Sequence, residues 1–246
     1  SRSHSIPTLP VPFDVGGRFS VLSPVGMFLA AWSGLDLDKF RRGAEGALTN
    51  KITVTEFTAQ VLASFSRSEW ITLFWFYCSE LYSLGLWLQQ LWAESLAKAT
   101  DRRGAPAPRV STPMCAIGAS DQHSILQQVM EGARDKFVVF LRVSEAESEF
   151  RKLNAPIFSE TQNLRGRGMG GLLAAEAEAT EEALSHSGVS TLVLRTKVLD
   201  EQTLGYLFMF FELVVGALGE ALDINAFDQP GVELGKRLAK QKMAKV

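Results

Sequence analysis

The sequence predicts an α/β fold, a parallel sheet held between layers of helices in a three-layer sandwich, with further helices at the C-terminal end. Two observations lead there. Residues 71–78 (ITLFWFYC), 136–143 (KFVVFLRV) and 191–195 (TLVLR) are short apolar runs, the pattern of strands covered on both faces. Helical patterns separate these runs, and strands that alternate with helices build a parallel sheet from βαβ units.

The elements follow in chain order. Residues 24–34 read as a short apolar helix, and 55–65 as another with Thr55 as its cap. After the first strand, residues 80–98 carry apolar side chains at helical spacing, and residues 99–113, rich in Arg, Pro and Gly, read as a loop. A helix over 121–132 is capped by Ser120 or Asp121. Residues 163–171 (NLRGRGMGG) form a loop, 172–185 an Ala, Glu and Leu helix, and 203–222 a long apolar helix. Pro230 suits the first position of a last helix that runs to about Lys245, because proline there loses no intrahelical hydrogen bond. The first residues, SRSHSIPTLPVPF, read as an extended segment with neither a basic start nor an apolar stretch of signal-peptide type.

Composition narrows the function classes. At 246 residues, 46% hydrophobic and 21% charged, the chain has enough apolar material for a large core, which excludes disordered and fibrous classes. A net charge of -2 offers no broad field for nucleic acid or an anionic membrane, so any phosphate chemistry must be local. The apolar stretches 71–92 and 204–219 carry polar interruptions or fall short of a spanning length of about 20 residues. Neither reads as transmembrane. Two cysteines, Cys78 and Cys115, are too few for a disulfide framework, and Cys78 within its apolar run reads as a buried free thiol. A reducing compartment, the cytoplasm, is expected.

Four places carry candidate chemistry. In DVGGRFSVLSPVG (14–26), Gly16 and Gly17 give the backbone freedom to turn beside Arg18, which could aim its guanidinium at an oxyanion or phosphate; the alternative is a surface arginine on a glycine turn. Gln90 and Glu94 are four apart in LWLQQLWAES and share a helix face, with Trp87, Leu91 and Trp92 as apolar surroundings. A carboxylate against apolar walls suits a general base, although a plain polar stripe would look the same. His123 lies near a helix start, where the positive end of the dipole favours neutral imidazole, and a structural or surface histidine is the competing reading. His4 and His186 sit in polar settings. Lys236, with Glu233 and Lys240 on the same helix face, is either a solvated charge or an inward-pointing cation, and Asp228 and Gln229 could cap that helix. No cluster of metal ligands, Walker-type loop or GxGxxG fingerprint between strand and helix occurs in the sequence, and no cofactor is expected.

Taken together and in order, these segments resemble the phosphoglucose isomerase family. DVGGRFSVLSPVG and the stretch from Gly219 through NAFDQPGVELGK to Lys236 match its signature patterns, and LQQLWAES, GASDQHSILQQVMEGARDKF and LLAAEAEATEEAL look like the family segments between them. The resemblance covers nearly the whole chain. It implies a cofactor-free aldose–ketose isomerase that interconverts glucose 6-phosphate and fructose 6-phosphate. Glu94 matches the base that moves a proton between C1 and C2 through a cis-enediolate, and Arg18 the arginine that stabilises that intermediate. His123 matches the histidine that assists ring opening, with Lys236 as its partner, while Gln90 and Gly17 fall at substrate-contacting positions. One departure lies after the base: ESLAK has Ala97 where the family usually has glycine.

The resemblance also implies a sugar isomerase (SIS) fold, Rossmann-like, for residues 36–225. Residues 1–35 would end or border a first SIS domain upstream, whose Ser/Thr loop binds the substrate phosphate, and residues 226–246 would form a C-terminal helix. A homodimer with a shared active site is implied, the histidine reaching into the neighbour's site. The alternative is a non-catalytic sugar-phosphate-binding or dimerisation module. The presence of arginine, glutamate, histidine and lysine in one chain argues against it.

Overall fold

The computed structural model describes residues 7–144, 158 and 168–244. The start of the N-terminal segment with His4, most of the 163–171 loop and the last two residues therefore lie outside the described residues.

Four parallel strands form the sheet: β1 (Ile71–Phe76), β2 (Thr112–Ile117), β3 (Lys136–Val143) and β4 (Ser190–Thr196), in the order β2-β1-β3-β4. Strand alternation sends Phe74, Phe76, Phe137, Val139 and Leu141 to one face and Leu73, Trp75, Tyr77, Val138 and Phe140 to the other. The first face packs on α3 (Lys51–Ser66), α4 (Tyr82–Leu96) and α7 (Glu201–Ala221). The second packs on α5 (Gln122–Glu131) and α6 (Met169–His186). This is the expected three-layer sandwich.

Two elements escaped the sequence reading, each for a local reason. β2 carries Pro113 and few β-branched residues, yet it is an edge strand, paired only with β1, where a missing N–H can be tolerated. The loop expected over 99–113 therefore ends earlier. The second element, α2 (Leu37–Thr49), holds Gly43 and Gly46, which weaken a helical pattern. Gly43 is there for packing: a Cβ would stand 1.8 Å from the Gln202 carbonyl oxygen, and on the facing helix a Cβ at Gly205 would stand 1.9 Å from that of Phe40. The glycines let α2 and α7 approach backbone to backbone.

Other boundaries shift. α3 starts at Lys51, capped by the Asn50 side chain, which accepts from the Thr53 N–H at 3.3 Å, so Thr55 is not its cap. α6 starts at Met169. Pro230 opens a 3-10 turn (Pro230–Val232), and the last helix, α8, runs Glu233–Met243. α7 has 21 residues, more than the apolar stretch read from the sequence, and by length and composition alone it is long and apolar enough to cross a membrane. In this fold it is a core helix, with Phe211, Val214, Val215 and Leu218 fully buried.

α1 (Pro24–Trp32) is the opposite case. Ser23 caps it, accepting from the Val25 N–H, but none of its residues is buried, and Phe28, Leu29 and Trp32 are exposed.

Candidate active site

Two distant parts of the chain, α4 and residues 226–229, converge on Arg18. Its residue is 3% exposed, an unusual burial for a guanidinium, and the surroundings satisfy it donor by donor. Nε donates to Ser95 Oγ at 2.7 Å on α4, and Nη2 donates to the carbonyls of Ala226 at 2.7 Å and Asp228 at 2.9 Å. Nη1 donates to Gln229 Oε1 at 3.3 Å and stands 3.6 Å from a carboxylate oxygen of Glu94. Burial draws the guanidinium below its ordinary pKa, while the Glu94 and Asp228 carboxylates pull it back. Arginine stays charged through such shifts. All three nitrogens bond to the protein, and Nη1, whose bond to Gln229 is the longest of the set, is the one that lies beside Glu94.

The turn that carries Arg18 is a 3-10 turn, Gly17–Phe19. Its glycines are not forced by backbone strain: Gly16 is extended at φ -68° and ψ 155°, and neither glycine has positive φ. A Cβ at Gly17 would meet nothing within 4 Å, so the space beside Arg18 is open there. The Arg18 carbonyl accepts from Trp87 Nε1 at 3.0 Å, and Phe19 packs on Phe227 with ring centroids 5.2 Å apart. These contacts fix the turn between α4 and the segment after α7.

Helix α4 places Gln90 and Glu94 as their spacing predicts. Gln90 Nε2 donates to Glu94 Oε1 at 3.2 Å, and the Glu94 side chain is 30% exposed. Of the apolar side chains expected around Glu94, two are taken up by the core. Leu91 and Trp92 point into the core, with Trp92 Nε1 donating to Ser111, and Trp87 packs against Phe208. The charged neighbour of this carboxylate is the Arg18 guanidinium.

Ala97, in place of the family's glycine, ends α4 at φ -76° and ψ 97°, a conformation open to any residue. The helix terminus is undistorted. Lys98 then turns back: Nζ donates to the Glu94 carbonyl at 2.9 Å and the Asp228 carbonyl at 2.5 Å and pairs with Asp228 Oδ1 at 3.0 Å. The side chains of Asp228 and Gln229 are thus engaged with Lys98 and Arg18, rather than only capping the following helix as the sequence suggested.

His123 and Lys236 stand outside the hydrogen bonds that join Arg18, Gln90 and Glu94. His123 is exposed in the first turn of α5, where Asp121 holds the N-cap position, and Lys236 is exposed on α8. Asp121 does not cap through its side chain but accepts from the Ile117 N–H at 2.7 Å, tying the His123 turn to the end of β2.

Sequence reasoning missed Ser95, Lys98 and the carbonyls of Ala226 and Asp228, because only the fold brings 18, 95–98 and 226–229 together. It also passed over Glu212, which lies within the apolar stretch 204–219. One Glu212 carboxylate oxygen is buried with no hydrogen-bond partner, and burial pushes this group up to about 8. The two cysteines are free: Cys78 is buried as expected, and burial pushes both thiols up to about 12. Among the described residues, no group of three or more His, Cys, Asp and Glu could hold a metal ion.

The sheet and the Arg18–Glu94 pair define an α/β domain with a charge-paired carboxylate at a junction of three segments. The phosphoglucose isomerase family model matches residues 11–246, and the chain belongs to that family. A glucose-6-phosphate isomerase from Rubrobacter xylanophilus is 37% identical over 97% of this chain and 55% of its own length, and one from Thermus thermophilus is 36% identical over 95% and 57%. The chain thus spans about half the length of the curated relatives it matches. A crystal structure of the hypothetical protein TT0462 from Thermus thermophilus superposes with a TM-score of 0.90 at 34% identity, covering 99% of this chain and 59% of that one. A glucose-6-phosphate isomerase from Chlamydia trachomatis shares the fold at a TM-score of 0.80 and 23% identity, covering 99% and 50%. Family membership supports an isomerase role.

Proposed function

We propose that this chain is the base-bearing C-terminal portion of an aldose–ketose isomerase that interconverts glucose 6-phosphate and fructose 6-phosphate. The observation that carries the reading is the Glu94 carboxylate 3.6 Å from Nη1 of a buried, charged Arg18. In an aldose–ketose conversion a base removes a proton from the carbon beside a carbonyl, leaving an enediolate, and returns it to the neighbouring carbon. Glu94 is the proton carrier between C2 and C1. Arg18 Nη1 faces the oxygen on which negative charge develops, and its burial makes that stabilisation stronger than it would be in water. Gln90 orients the base from one side and, with the open space at Gly17, contacts the substrate.

His123 and Lys236 handle the earlier ring opening, and the exposure of His123 suits a histidine that serves a neighbouring copy's site in a homodimer. The substrate phosphate is held by a first SIS domain that accompanies residues 36–225, the second SIS domain, with 226–246 as its C-terminal helical segment. The uncovered apolar side of α1, with Phe28, Leu29 and Trp32, supports the assignment of 1–35 to the border with that first domain. The reaction needs no cofactor, and the two free thiols fit a cytoplasmic setting.

The test is Glu94→Gln in the protein that carries this chain. A base of this kind contributes about 10²–10⁴-fold, so turnover of fructose 6-phosphate in a coupled assay should fall by about that factor while its binding changes little. Undiminished turnover would refute the role of Glu94.

A further inference from the structure

We infer that Lys98 is a positioning residue for this reaction: a clasp that sets the distance between the base on α4 and the segment that cradles Arg18. The inference rests on the isomerase reading of Glu94 and Arg18.

Three features carry it. The Lys98 side chain is 5% exposed, and its ammonium group has three acceptors for its three protons: the Glu94 carbonyl, the Asp228 carbonyl and Asp228 Oδ1. The first of these belongs to the proposed base itself. The second is shared, because Arg18 Nη2 donates to the same Asp228 carbonyl at 2.9 Å. Two cations from different parts of the chain therefore bracket one carbonyl, and the next side chain, Gln229, accepts from Arg18 Nη1 at 3.3 Å. If the 226–229 segment drifts, the Arg18 edge that faces Glu94 drifts with it.

The helix end explains why this work falls to a side chain. α4 stops at Leu96, and its last carbonyls, Glu94 among them, lack the N–H partners that a continuing helix would supply. A cation there satisfies a carbonyl and suits the negative end of the helix dipole. Lys98 does so while reaching across to a segment 130 residues away in sequence. That segment leads through the Pro230–Val232 turn into α8, which carries Lys236. The clasp thus connects the base to the segment that leads to Lys236, one of the two residues proposed for ring opening.

The clasp is tested by Lys98→Met and Lys98→Arg in the protein that carries this chain, with steady-state kinetics per folded molecule and thermal unfolding. Loss of positioning predicts at least a tenfold drop in kcat for Lys98→Met, KM for fructose 6-phosphate within about threefold, and partial recovery of kcat in Lys98→Arg. A lowered melting temperature with unchanged kcat would overturn the inference, since that is what a merely structural lysine gives. Should Lys98→Met fail to fold, Asp228→Asn, which keeps the carbonyl and weakens one arm, should lower kcat by a smaller factor, and no change would again overturn it. Failure of the isomerase reading is separately visible, as undiminished turnover in Glu94→Gln. In that event, non-additive melting shifts of Lys98→Met and Asp228→Asn still report the clasp, and additive shifts refute it.

Discussion

Lysine at position 18 would keep the charge and remove the fork. Arg18 reaches Ser95 Oγ, two carbonyls, Gln229 Oε1 and the edge of Glu94 from three nitrogens spread over a plane. A single ammonium has three protons on one atom and cannot span acceptors set on opposite sides of a guanidinium. Ser95 is fully buried, so in Arg18→Lys its hydroxyl loses its partner without access to water, and one of the two carbonyls is stranded as well. Each buried orphan costs about 1–3 kcal/mol, and the loss of charge-assisted bonds brings the expected destabilisation to about 3–5 kcal/mol. For a chain of this size that corresponds to a fall of about 10 °C in Tm. Denaturant unfolding at pH 7, with an unchanged m-value, would measure it directly. Turnover should fall too, because the Nη1 edge is gone. A destabilisation under about 1 kcal/mol would refute the view that this guanidinium is bound to the protein through all three of its nitrogens.

Two further expectations concern stability. The Glu212 carboxyl is pushed up to about 8 by burial, so between about pH 4.5 and 8 the folded chain holds a proton that the unfolded chain has released. Stability should be fully present below about pH 4.5 and decline as pH rises through 8, with a slope of at most about 1.4 kcal/mol per unit. Glu212→Gln, neutral throughout, should flatten that decline, and parallel stability curves from pH 6 to 9 for the two proteins would contradict the assignment. In the α2–α7 contact, Gly205→Ala puts a methyl group 1.9 Å from a backbone oxygen that cannot rotate away, and should cost about 3 kcal/mol. Gly46→Ala, whose nearest neighbour would be Tyr206 at 3.7 Å, should instead be neutral or stabilising by up to about 1 kcal/mol. Equal effects of the two substitutions on the unfolding midpoint would rule out close backbone approach as the reason for the glycine.

Much of the fold was written in local chemistry. β1 and β3 are apolar on both faces because helices cover both sides of the sheet, and that doubly buried pattern is visible in ITLFWFYC and KFVVFLRV without any coordinates. Gln90 and Glu94 share a face because helical geometry repeats near every fourth residue. β2 and α2 were hidden for the converse reason. Their sequences answer to an edge position and to a neighbouring helix, and neither leaves a periodic trace along the chain.

The site divides along the same line. The motifs named Arg18, Glu94, Gln90, His123 and Lys236, because family resemblance reads residue types in order. Which atoms those residues spend on the protein, and which remain for a substrate, depends on contacts between positions up to 211 residues apart. Only tertiary structure shows that Arg18 is held by the protein on all three nitrogens, that Glu94 lies beside its Nη1, and that Lys98 joins the helix of the base to the cradle of the arginine. The physical reason is range: backbone propensity and side-chain periodicity act over a few residues, whereas a buried charge needs partners that the chain can supply only by folding back on itself.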